Sequence, residues 1–375
     1  MTEMITGHPG RYWHELVDGR IQCDLCPRFC RLHEGQRAFC FVRARQGDRM
    51  VLTTYGRSSG FCIDPIEKKP LNHFLPGSPV LSFGTAGCNL ACKFCQNWDI
   101  SKSRKFDTLA DQASPNDIAR TAERHGCRSV AFTYNDPVIF HEYVIDTAVA
   151  CQKLGIKNVA VTAGYVCPEP RAEFYAMMDA ANVDLKGFTD EFYHKVCGAH
   201  LQPVLDTLVY IANETDVWLE ITTLLIPELN DSDEEIEHMT RWVVDELGPD
   251  VPMHFTAFHP DWKMRDRPPT PTTTLQKARK IAIKNGVHYA YTGNVYDPDG
   301  ESTYCHDCEH LLIGRDIYQI TAWNLTEEGR CMNCGTLCAG MFEGGPSLWG
   351  SRSRPVRMAT SRTSRPGTRE YPSAT

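Results

Sequence analysis

The sequence has no continuous apolar run long enough to cross a bilayer, and its N-terminus contains no apolar core of the kind that marks a signal peptide. It also lacks an excess of positive charge, since its formal net charge at pH 7 is −8. These absences argue against a membrane protein, a secreted protein and a nucleic-acid-binding protein. They predict a cytoplasmic protein in a reducing compartment, where disulfides are rare.

Cysteine, in contrast, is abundant, with 17 residues in a chain of 375. In a reducing compartment, cysteines are more often metal ligands than disulfide partners. Most of them fall into three groups with short, regular spacing, and the six scattered ones are Cys62, Cys127, Cys151, Cys167, Cys197 and Cys338. The three groups predict three metal sites.

The central group, Cys88, Cys92 and Cys95, has the spacing C-x3-C-x2-C and follows an apolar run at 80–83. A structural zinc site normally has four protein ligands, and only three lie close together here. A [4Fe-4S] cluster bound by three cysteines leaves one iron free for a ligand that is not protein. The alternative, three buried cysteines in a glycine-bearing loop, does not explain the regular spacing. This spacing, with the aromatic Phe94 before the last cysteine, resembles the radical S-adenosylmethionine (SAM) enzymes.

The N-terminal group is formed by four cysteines within 18 residues, namely Cys23, Cys26, Cys30 and Cys40. Four thiolates suit one tetrahedral zinc ion or a second iron-sulfur cluster, and their number alone does not choose between these metals. Reduced cysteines without a metal are the remaining alternative. Residues 1–76 are therefore predicted to form a Cys-rich metal-binding segment.

From residue 80 onward, apolar runs alternate with helical patterns. The predicted strands are 80–83, 130–134, 159–163, 183–186, 218–226, 253–258 and 287–291. The predicted helices are 116–125, 136–154, 169–181, 201–215, 233–247 and 273–285. This alternation indicates an α/β fold with a parallel sheet and right-handed crossovers. Six or seven such units favour a partial or open barrel over residues 77–296.

The C-terminal part of the sequence differs from the barrel region. Cys305 and Cys308 are separated from Cys331 and Cys334 by 22 residues that include strand-like runs, a pattern that resembles a zinc ribbon. We expect structural zinc in this module, residues 297–344, with an iron-sulfur cluster as the alternative. Residues 345–375 are rich in Ser, Arg, Pro and Thr and are predicted to be disordered.

Polar residues follow several of the predicted strands, at the edge where reacting groups collect in such barrels. SAM needs acceptors for its ammonium, a cation or N–H group for its carboxylate, and polar contacts for its ribose. Asn135 and Asp136 are candidates for the ammonium, and Asp184 and Lys186 for the ribose and carboxylate. The residues that complete this candidate shell are Thr162 and His259. Each has a structural alternative: Asp136 as a helix N-cap, Lys186 as the partner of Asp184, and His259 as a loop cap.

Longer stretches resemble the pyruvate formate-lyase activating enzyme branch of the radical SAM superfamily. They are TYNDP (133–137), VDLKGF (183–188), LLIPELNDSDEEI (224–236) and HFTAFHPDWKM (254–264). With the N-terminal cysteines, DPIEKKPLNHFLPG (64–77) and YTGNVYDPDGESTYCHDC (291–308), the chain more closely resembles the radical SAM member of the AmmeMemoRadiSam system. The resemblance covers about residues 20–343.

The resemblance implies a partial (β/α)6 barrel, one [4Fe-4S] cluster and SAM. It also implies a reductant such as flavodoxin or ferredoxin, and neighbours of the Memo and AMMECR types. In most of the superfamily, a Gly-Gly-Glu stretch after the second strand contacts the SAM ammonium. Here TYND occupies that position, where the branch commonly has TYNE, so Asp136 carries the acid on a side chain that is shorter by one methylene.

Three functions remain open at this point. The first is a radical SAM oxidoreductase that cleaves SAM to a 5′-deoxyadenosyl radical and abstracts hydrogen from an unknown substrate. The second is a glycyl radical activase, whose substrate is a glycine of a partner protein. The third is a non-catalytic iron-sulfur or zinc scaffold, which explains the terminal cysteine groups but not the three-cysteine loop.

Overall fold

The computed structural model describes residues 7–102, 109 and 111–358. The N-terminal part of the chain is built from short strands, which form two three-stranded antiparallel sheets, β1-β6-β5 and β2-β3-β4. The strands of this part are β1 (His8–Pro9), β2 (Trp13–Glu15), β3 (Ile21–Cys23), β4 (Arg31–Leu32), β5 (Arg43–Gln46), β6 (Arg49–Leu52), β7 (Arg57–Ser58) and β8 (Phe61–Pro65). A 3-10 turn at Ile66–Lys68 follows β8.

The middle of the chain alternates strands with helices. Its strands are β9 (Pro79–Phe83), β10 (Asp111–Gln112), β11 (Ser129–Phe132), β12 (Lys157–Thr162), β13 (Ala180–Asp184), β14 (Trp218–Leu225), β15 (Met253–Ala257) and β16 (Ala290–Gly293). Its α-helices are α1 (Trp98–Ser101), α2 (Pro115–Arg124), α3 (His141–Gln152), α4 (Pro168–Ala176), α5 (Asp190–Phe192), α6 (Gln202–Glu214), α7 (Asp233–Leu247) and α8 (Thr272–Lys284). A 3-10 turn at Pro137–Phe140 precedes α3, and a π-helix at Tyr193–Cys197 follows α5.

The C-terminal part begins with a short helix and continues as a small antiparallel sheet, β17-β18-β19. Its elements are α9 (Pro298–Glu301), β17 (Thr303–Tyr304), β18 (Leu311–Asp316), β19 (Gln319–Trp323) and β20 (Arg354–Val356). The last of these strands returns to the large sheet, where it pairs with β8.

The large sheet has the strand order β16-β15-β14-β13-β12-β11-β9-β8-β20. From β9 to β16 its strands are parallel and follow chain order, while β8 and β20 add antiparallel strands at one edge. The two edge strands do not pair with each other, so the sheet is open. The predicted α/β fold with a central parallel sheet is therefore confirmed.

Local sequence explains where the elements begin and why they pack. Helix α2 begins with a capping box in which Ser114 and Asp117 each bond the backbone N–H of the other, with Pro115 in the first helical position. Every residue of β9 is buried, as expected for a strand covered on both faces. In the described part of the chain, no helix is both long and apolar enough to cross a membrane.

Two predicted helices differ from the structure. The helix predicted over 136–154 is divided, because the 3-10 turn at Pro137–Phe140 comes first and α3 begins only at His141. The helix predicted over 169–181 ends at Ala176. Ala180 and Ala181 instead belong to β13, where parallel pairing with β12 and β14 overrides the helix propensity of alanine.

The predicted disorder of 345–375 is wrong for the first part of that segment. Residues 345–358 are described, and β20 pairs with the residues of β8. Backbone hydrogen bonds hold this strand, and Val356 and Met358 are buried although their neighbours are polar. Residues 359–375 lie outside the described residues.

A buried ion pair joins the N-terminal segment to helix α3 beside the large sheet. Arg43 of β5 and Glu142 of α3 are 1% and 3% exposed, and Nη1 of Arg43 lies 2.9 Å from Oε2 of Glu142. Nη2 of Arg43 donates a second bond of 2.9 Å to Oε1 of the same carboxylate. This two-point contact orients the segment that carries the N-terminal cysteines.

Candidate functional site

A cavity of about 390 Å³ lies at the C-terminal ends of the parallel strands. This volume is in the range of about 300–1,000 Å³ that is usual for small-molecule sites. Cys88, Cys92 and Cys95 line it together. The predicted residues that also line it are Phe94, Asn135, Asp136, Thr162, Asp184 and Lys186. The structure thus brings the three-cysteine loop and most of the predicted polar shell to one place.

The three cysteines of the loop differ in their surroundings. The backbone N–H of Leu90 donates to Sγ of Cys88 at 3.5 Å, and burial raises the pKa of the Cys88 thiol to about 11. A hydrogen bond from the Cys197 thiol lowers the pKa of Cys92 to about 6. Cys197 itself does not line the cavity, and among the described lining residues no fourth cysteine joins the three.

Two contacts fix the loop on either side of Cys88. The side chain of Asn135 accepts a bond of 2.9 Å from the backbone N–H of Thr85 and donates one of 2.9 Å to the carbonyl oxygen of Gly87. On the other side, the N–H of Ala91 donates to the carbonyl oxygen of Cys197 at 2.8 Å. Asn135, expected to contact SAM, thus has its amide group engaged with the loop that carries the cysteines.

Asp136 connects two neighbouring strand ends. One carboxylate oxygen accepts from the N–H of Val138 at 2.9 Å, which caps the 3-10 turn, and the other accepts from the N–H of Ala163 at 2.9 Å. The hydroxyl of Thr162 lies 3.3 Å from both oxygens. Burial raises the pKa of Asp136 to about 6, although these donors act against the rise. The carboxylate therefore has a capping role and also faces the cavity.

Asp184 and Lys186 form an ion pair at the end of β13. Nζ of Lys186 lies 2.8 Å from Oδ2 of Asp184 and 5.9 Å from the ring centroid of Phe94. Burial disfavours the Lys186 charge, but Asp184 and Cys92 raise its pKa well above the usual value. Lys186 and Asp184 thus place a cation and an anion side by side in a cavity whose lining also includes Lys68, Lys69, Lys102 and Asp136.

The set of cavity residues differs from the prediction at two positions, Thr222 and His259. Thr222 of β14 lines the cavity, and its hydroxyl is buried without a hydrogen-bond partner in the described structure. No sequence motif marks this threonine. His259, in contrast, is exposed and does not belong to the lining. The N–H of the buried Phe258 donates to the Thr270 hydroxyl at 3.1 Å, and its carbonyl oxygen accepts from the N–H of Thr270 at 3.0 Å. The chain reaches the surface directly after Phe258.

The C-terminal cysteines Cys305, Cys308, Cys331 and Cys334 form a compact group. Their four sulfur atoms lie within 4.8 Å of one another, with separations of 3.6 Å between Cys305 and Cys334 and 3.7 Å between Cys308 and Cys331. A tetrahedral zinc ion at about 2.3 Å from each sulfur requires sulfur separations of about 3.8 Å. The group is consistent with the predicted zinc-ribbon-like module.

Comparison with known proteins identifies the family. Residues 83–243 match the model of the radical SAM superfamily. An uncharacterized protein of Methanocaldococcus jannaschii is 41% identical over 325 residues, which is 86% of this chain and 96% of the relative. The chain belongs to the radical SAM superfamily. It is also 23% identical to the pyruvate formate-lyase 1-activating enzyme of Escherichia coli K12, over 56% of this chain and 91% of that protein.

A further relative of this radical SAM protein is the 4-hydroxyphenylacetate decarboxylase activating enzyme of Clostridioides difficile. The two are 21% identical over 72% of this chain and 89% of the relative. As a member of this superfamily the protein is an enzyme, and the third hypothesis, a non-catalytic scaffold, is excluded. The family implies a [4Fe-4S] cluster and SAM, and its activases accept electrons from a reductant such as flavodoxin.

The residues of this chain fit those two groups. The cavity lining contains three cysteines and no fourth one. This number matches a [4Fe-4S] cluster that keeps one iron for a non-protein ligand. The cation and anion of Lys186 and Asp184 match a zwitterionic ligand such as SAM. The unpartnered Thr222 hydroxyl offers one more polar contact in the same cavity.

Proposed function

We propose that Cys88, Cys92 and Cys95 bind a [4Fe-4S] cluster whose free iron faces the 390 Å³ cavity, and that SAM binds in this cavity. When bound, the cluster and SAM supply a 5′-deoxyadenosyl radical by one-electron cleavage of a carbon–sulfur bond. The enzyme uses it to abstract hydrogen from a substrate. The observation that carries the proposal is the shared lining, which contains all three cysteines and the polar strand ends.

Different side chains of the cavity bind the different polar groups of SAM. Lys186 provides the cation for the carboxylate, and Asp184 and Thr222 provide polar contacts for the ribose. Asp136 faces the ammonium with a carboxylate held by Val138 and Ala163. Asn135 is a positioning residue, because its amide holds the loop rather than the ligand.

A second cavity, of about 340 Å³, supports a place for the substrate. It adjoins the first, since both are lined by Lys68, Pro70, Thr256, Asn294 and Tyr318. Its walls carry the carboxylates of Glu67 and Glu301, each with one buried oxygen that has no hydrogen-bond partner in the described structure, and the guanidinium of Arg315. Such a lining suits a polar substrate, which would reach the radical from this side.

The proposal extends to the AmmeMemoRadiSam system, with Memo-type and AMMECR-type proteins as partners and a flavodoxin or ferredoxin as reductant in the cytoplasm. The support for this extension is the position of two stretches of the chain in the structure. The stretches 64–77 and 291–308, which carry the closer resemblance, supply Glu67, Thr292 and Glu301 to the second cavity. The proposal also assigns zinc to the C-terminal module and treats residues 1–76, 77–296 and 297–344 as its structural units.

The test is anaerobic reconstitution with iron and sulfide, reduction, and chromatography for 5′-deoxyadenosine after SAM is added. The wild type should form the product. A Cys88→Ala, Cys92→Ala, Cys95→Ala variant should form none, whereas a control that removes the same number of scattered cysteines, Cys62→Ala, Cys127→Ala and Cys151→Ala, should retain the activity. Reduced wild-type protein with a spectroscopically confirmed cluster and no product would refute the proposal.

Glycyl radical activation is a second candidate, favoured by the two activating enzymes among the relatives. In this case the hydrogen donor is a backbone glycine of a partner protein. The reduced enzyme and SAM would be mixed with a glycyl radical protein encoded nearby, and the partner's radical would be measured by electron paramagnetic resonance. A radical on the partner supports this candidate, while 5′-deoxyadenosine formed together with a modified small molecule supports the first.

A further inference from the structure

Three charged side chains from distant parts of the chain meet at the second cavity, the one of about 340 Å³. Glu67 comes from the 3-10 turn after β8, Glu301 from helix α9 and Arg315 from strand β18. Glu67 and Arg315 are 4% and 2% exposed. Because these two side chains are buried and line the cavity, a ligand would reach them from this space.

Each of the three side chains has a buried polar atom without a hydrogen-bond partner in the described structure. In Glu67 and Glu301 this atom is Oε2, and in Arg315 it is Nε. The other two nitrogens of Arg315 are engaged, since Nη1 donates to the hydroxyl of Thr303 at 2.8 Å and Nη2 to the carbonyl oxygen of Asn72 at 2.6 Å. Buried polar groups are rarely left unpaired in native proteins, so three of them around one cavity indicate a ligand that completes their hydrogen bonds.

Two other basic side chains that line this cavity already have acidic partners. Nζ of Lys68 lies 3.0 Å from Oδ1 of Asp64, and Nε2 of His254 lies 2.6 Å from Oε2 of Glu220. Neither of these two acidic residues belongs to the lining. The lysine and the histidine are therefore directed away from the two carboxyl groups that line the cavity.

The charges of the three groups determine which kind of ligand fits. When both carboxyl groups are ionised, the carboxylates of Glu67 and Glu301 outweigh the single guanidinium of Arg315. Burial raises the pKa of both carboxyl groups to about 7, and the charge of Arg315 offsets this only in part. A bound cation with N–H groups would stabilise the ionised carboxylates and donate to their free oxygens.

The free Nε of Arg315 adds a second requirement, because it is a donor and needs an acceptor on the ligand. An uncharged oxygen meets this need without bringing another negative charge close to Glu67 and Glu301. The three groups therefore match a ligand that has an ammonium group and, close to it, an uncharged oxygen. They do not match an anion, which the two carboxylates would repel.

We propose that the second cavity binds a primary amine that carries an uncharged oxygen close to its amino group, and that this amine is the substrate of the enzyme. The ammonium donates to Oε2 of Glu67 and Oε2 of Glu301, and the oxygen accepts from Nε of Arg315. The amine would then lie beside the cavity that we assign to SAM, as hydrogen abstraction requires. The role as substrate rests on the proposed function, whereas the binding of the amine does not.

Isothermal titration calorimetry with three small probes tests the amine site. Reconstituted protein with an oxidised cluster is first saturated with SAM, which occupies the first cavity and is not cleaved without a reductant. The probes are glycinamide, which is mostly protonated at about pH 7, glycolamide, which has a hydroxyl in place of the ammonium, and ethylamine, which lacks the oxygen. Glycinamide should bind about tenfold more tightly than glycolamide, and several-fold more tightly than ethylamine.

Substitutions of the two carboxylates locate the bound probe. Glu67→Gln and Glu301→Gln should each weaken the binding of glycinamide about tenfold and change that of glycolamide little. The matched control, Glu123→Gln at an exposed position of α2, should change neither. The variants should bind SAM as the wild type does, which shows that they are folded.

Three results would overturn the proposal: no binding of glycinamide, equal affinity for glycinamide and glycolamide, or an affinity for glycinamide that is unchanged in both Glu67→Gln and Glu301→Gln. Failure of the proposed function gives a different result. Wild-type protein that does not bind SAM would refute that function and leave the amine site standing, because the probes are then titrated alone and the two variants still locate them.

Discussion

Substitution of Glu67 by glutamine should stabilise the protein at neutral and alkaline pH. Glu67 is 4% exposed in the 3-10 turn at Ile66–Lys68, and one carboxylate oxygen accepts from the N–H of Gly77 at 2.6 Å. The other oxygen is buried and has no partner in the described structure. Burial raises the pKa of Glu67 from 4.5 to about 7, although the charge of Arg315 acts in the opposite direction.

The sign of the effect follows from proton binding. Between about pH 4.5 and pH 7, folded Glu67 keeps a proton that the unfolded chain has lost, so the free energy of unfolding decreases as the pH rises through this window. The difference between the two pKa values corresponds to about 3 kcal/mol. Glutamine retains an oxygen for the Gly77 N–H without a buried charge. Glu67→Gln should therefore gain about 3 kcal/mol over the wild type at pH 8, and almost nothing below pH 4.5.

Urea denaturation of anaerobically reconstituted wild type and Glu67→Gln, over about pH 5 to pH 8, measures this difference. Each comparison is made at one pH, so effects of pH on the metal centres are common to both proteins. The matched control is Glu123→Gln, a substitution at an exposed position of α2 that should change the stability little at any pH. A gain that does not vary with pH, or no gain at pH 8, would contradict the reasoning.

Three further predictions concern the loop, the buried ion pair and the zinc site. Asn135→Ala removes the side chain that holds the loop before Cys88, so sulfide analysis should show a lower yield of the central cluster while zinc is unchanged. Arg43→Met leaves the buried Glu142 unpaired and should cost about 3–5 kcal/mol in urea denaturation, most of which a second substitution, Glu142→Leu, should restore. Cys308→Ser should remove one zinc per chain in metal analysis; iron should stay at the wild-type level, and loss of iron instead would assign an iron-sulfur centre to that group.

The fold could be predicted from the sequence because its signals are local. Runs such as that of β9 are apolar over almost their whole length, as expected for strands buried on both faces. The polar residues that follow such strands meet at one edge of a parallel sheet, so Asp184 and Lys186 could be assigned to the cavity before their contacts were known. Position relative to a strand end was sufficient for these residues.

Contacts between distant segments could not be predicted in this way. Asn135 binds the backbone at Thr85 and Gly87, about 50 positions earlier in the chain, and no pattern in the sequence links them. Cys197 was one of the scattered cysteines, although the π-helix brings its thiol to Cys92. The pairing of β20 with β8 leaves no periodic signal either, because backbone groups make it and β20 is only three residues long.

That last pairing also has a consequence for the behaviour of the protein in solution. Without Arg354–Val356, the residues of β8 would present an open row of backbone donors and acceptors to other molecules, which is a common starting point for aggregation. The covering strand is itself a poor template, because Pro355 has no N–H group to offer and Arg354 adds a charge. This short strand therefore protects the edge of the large sheet from pairing with other molecules, which lowers the tendency of the enzyme to aggregate at high concentration.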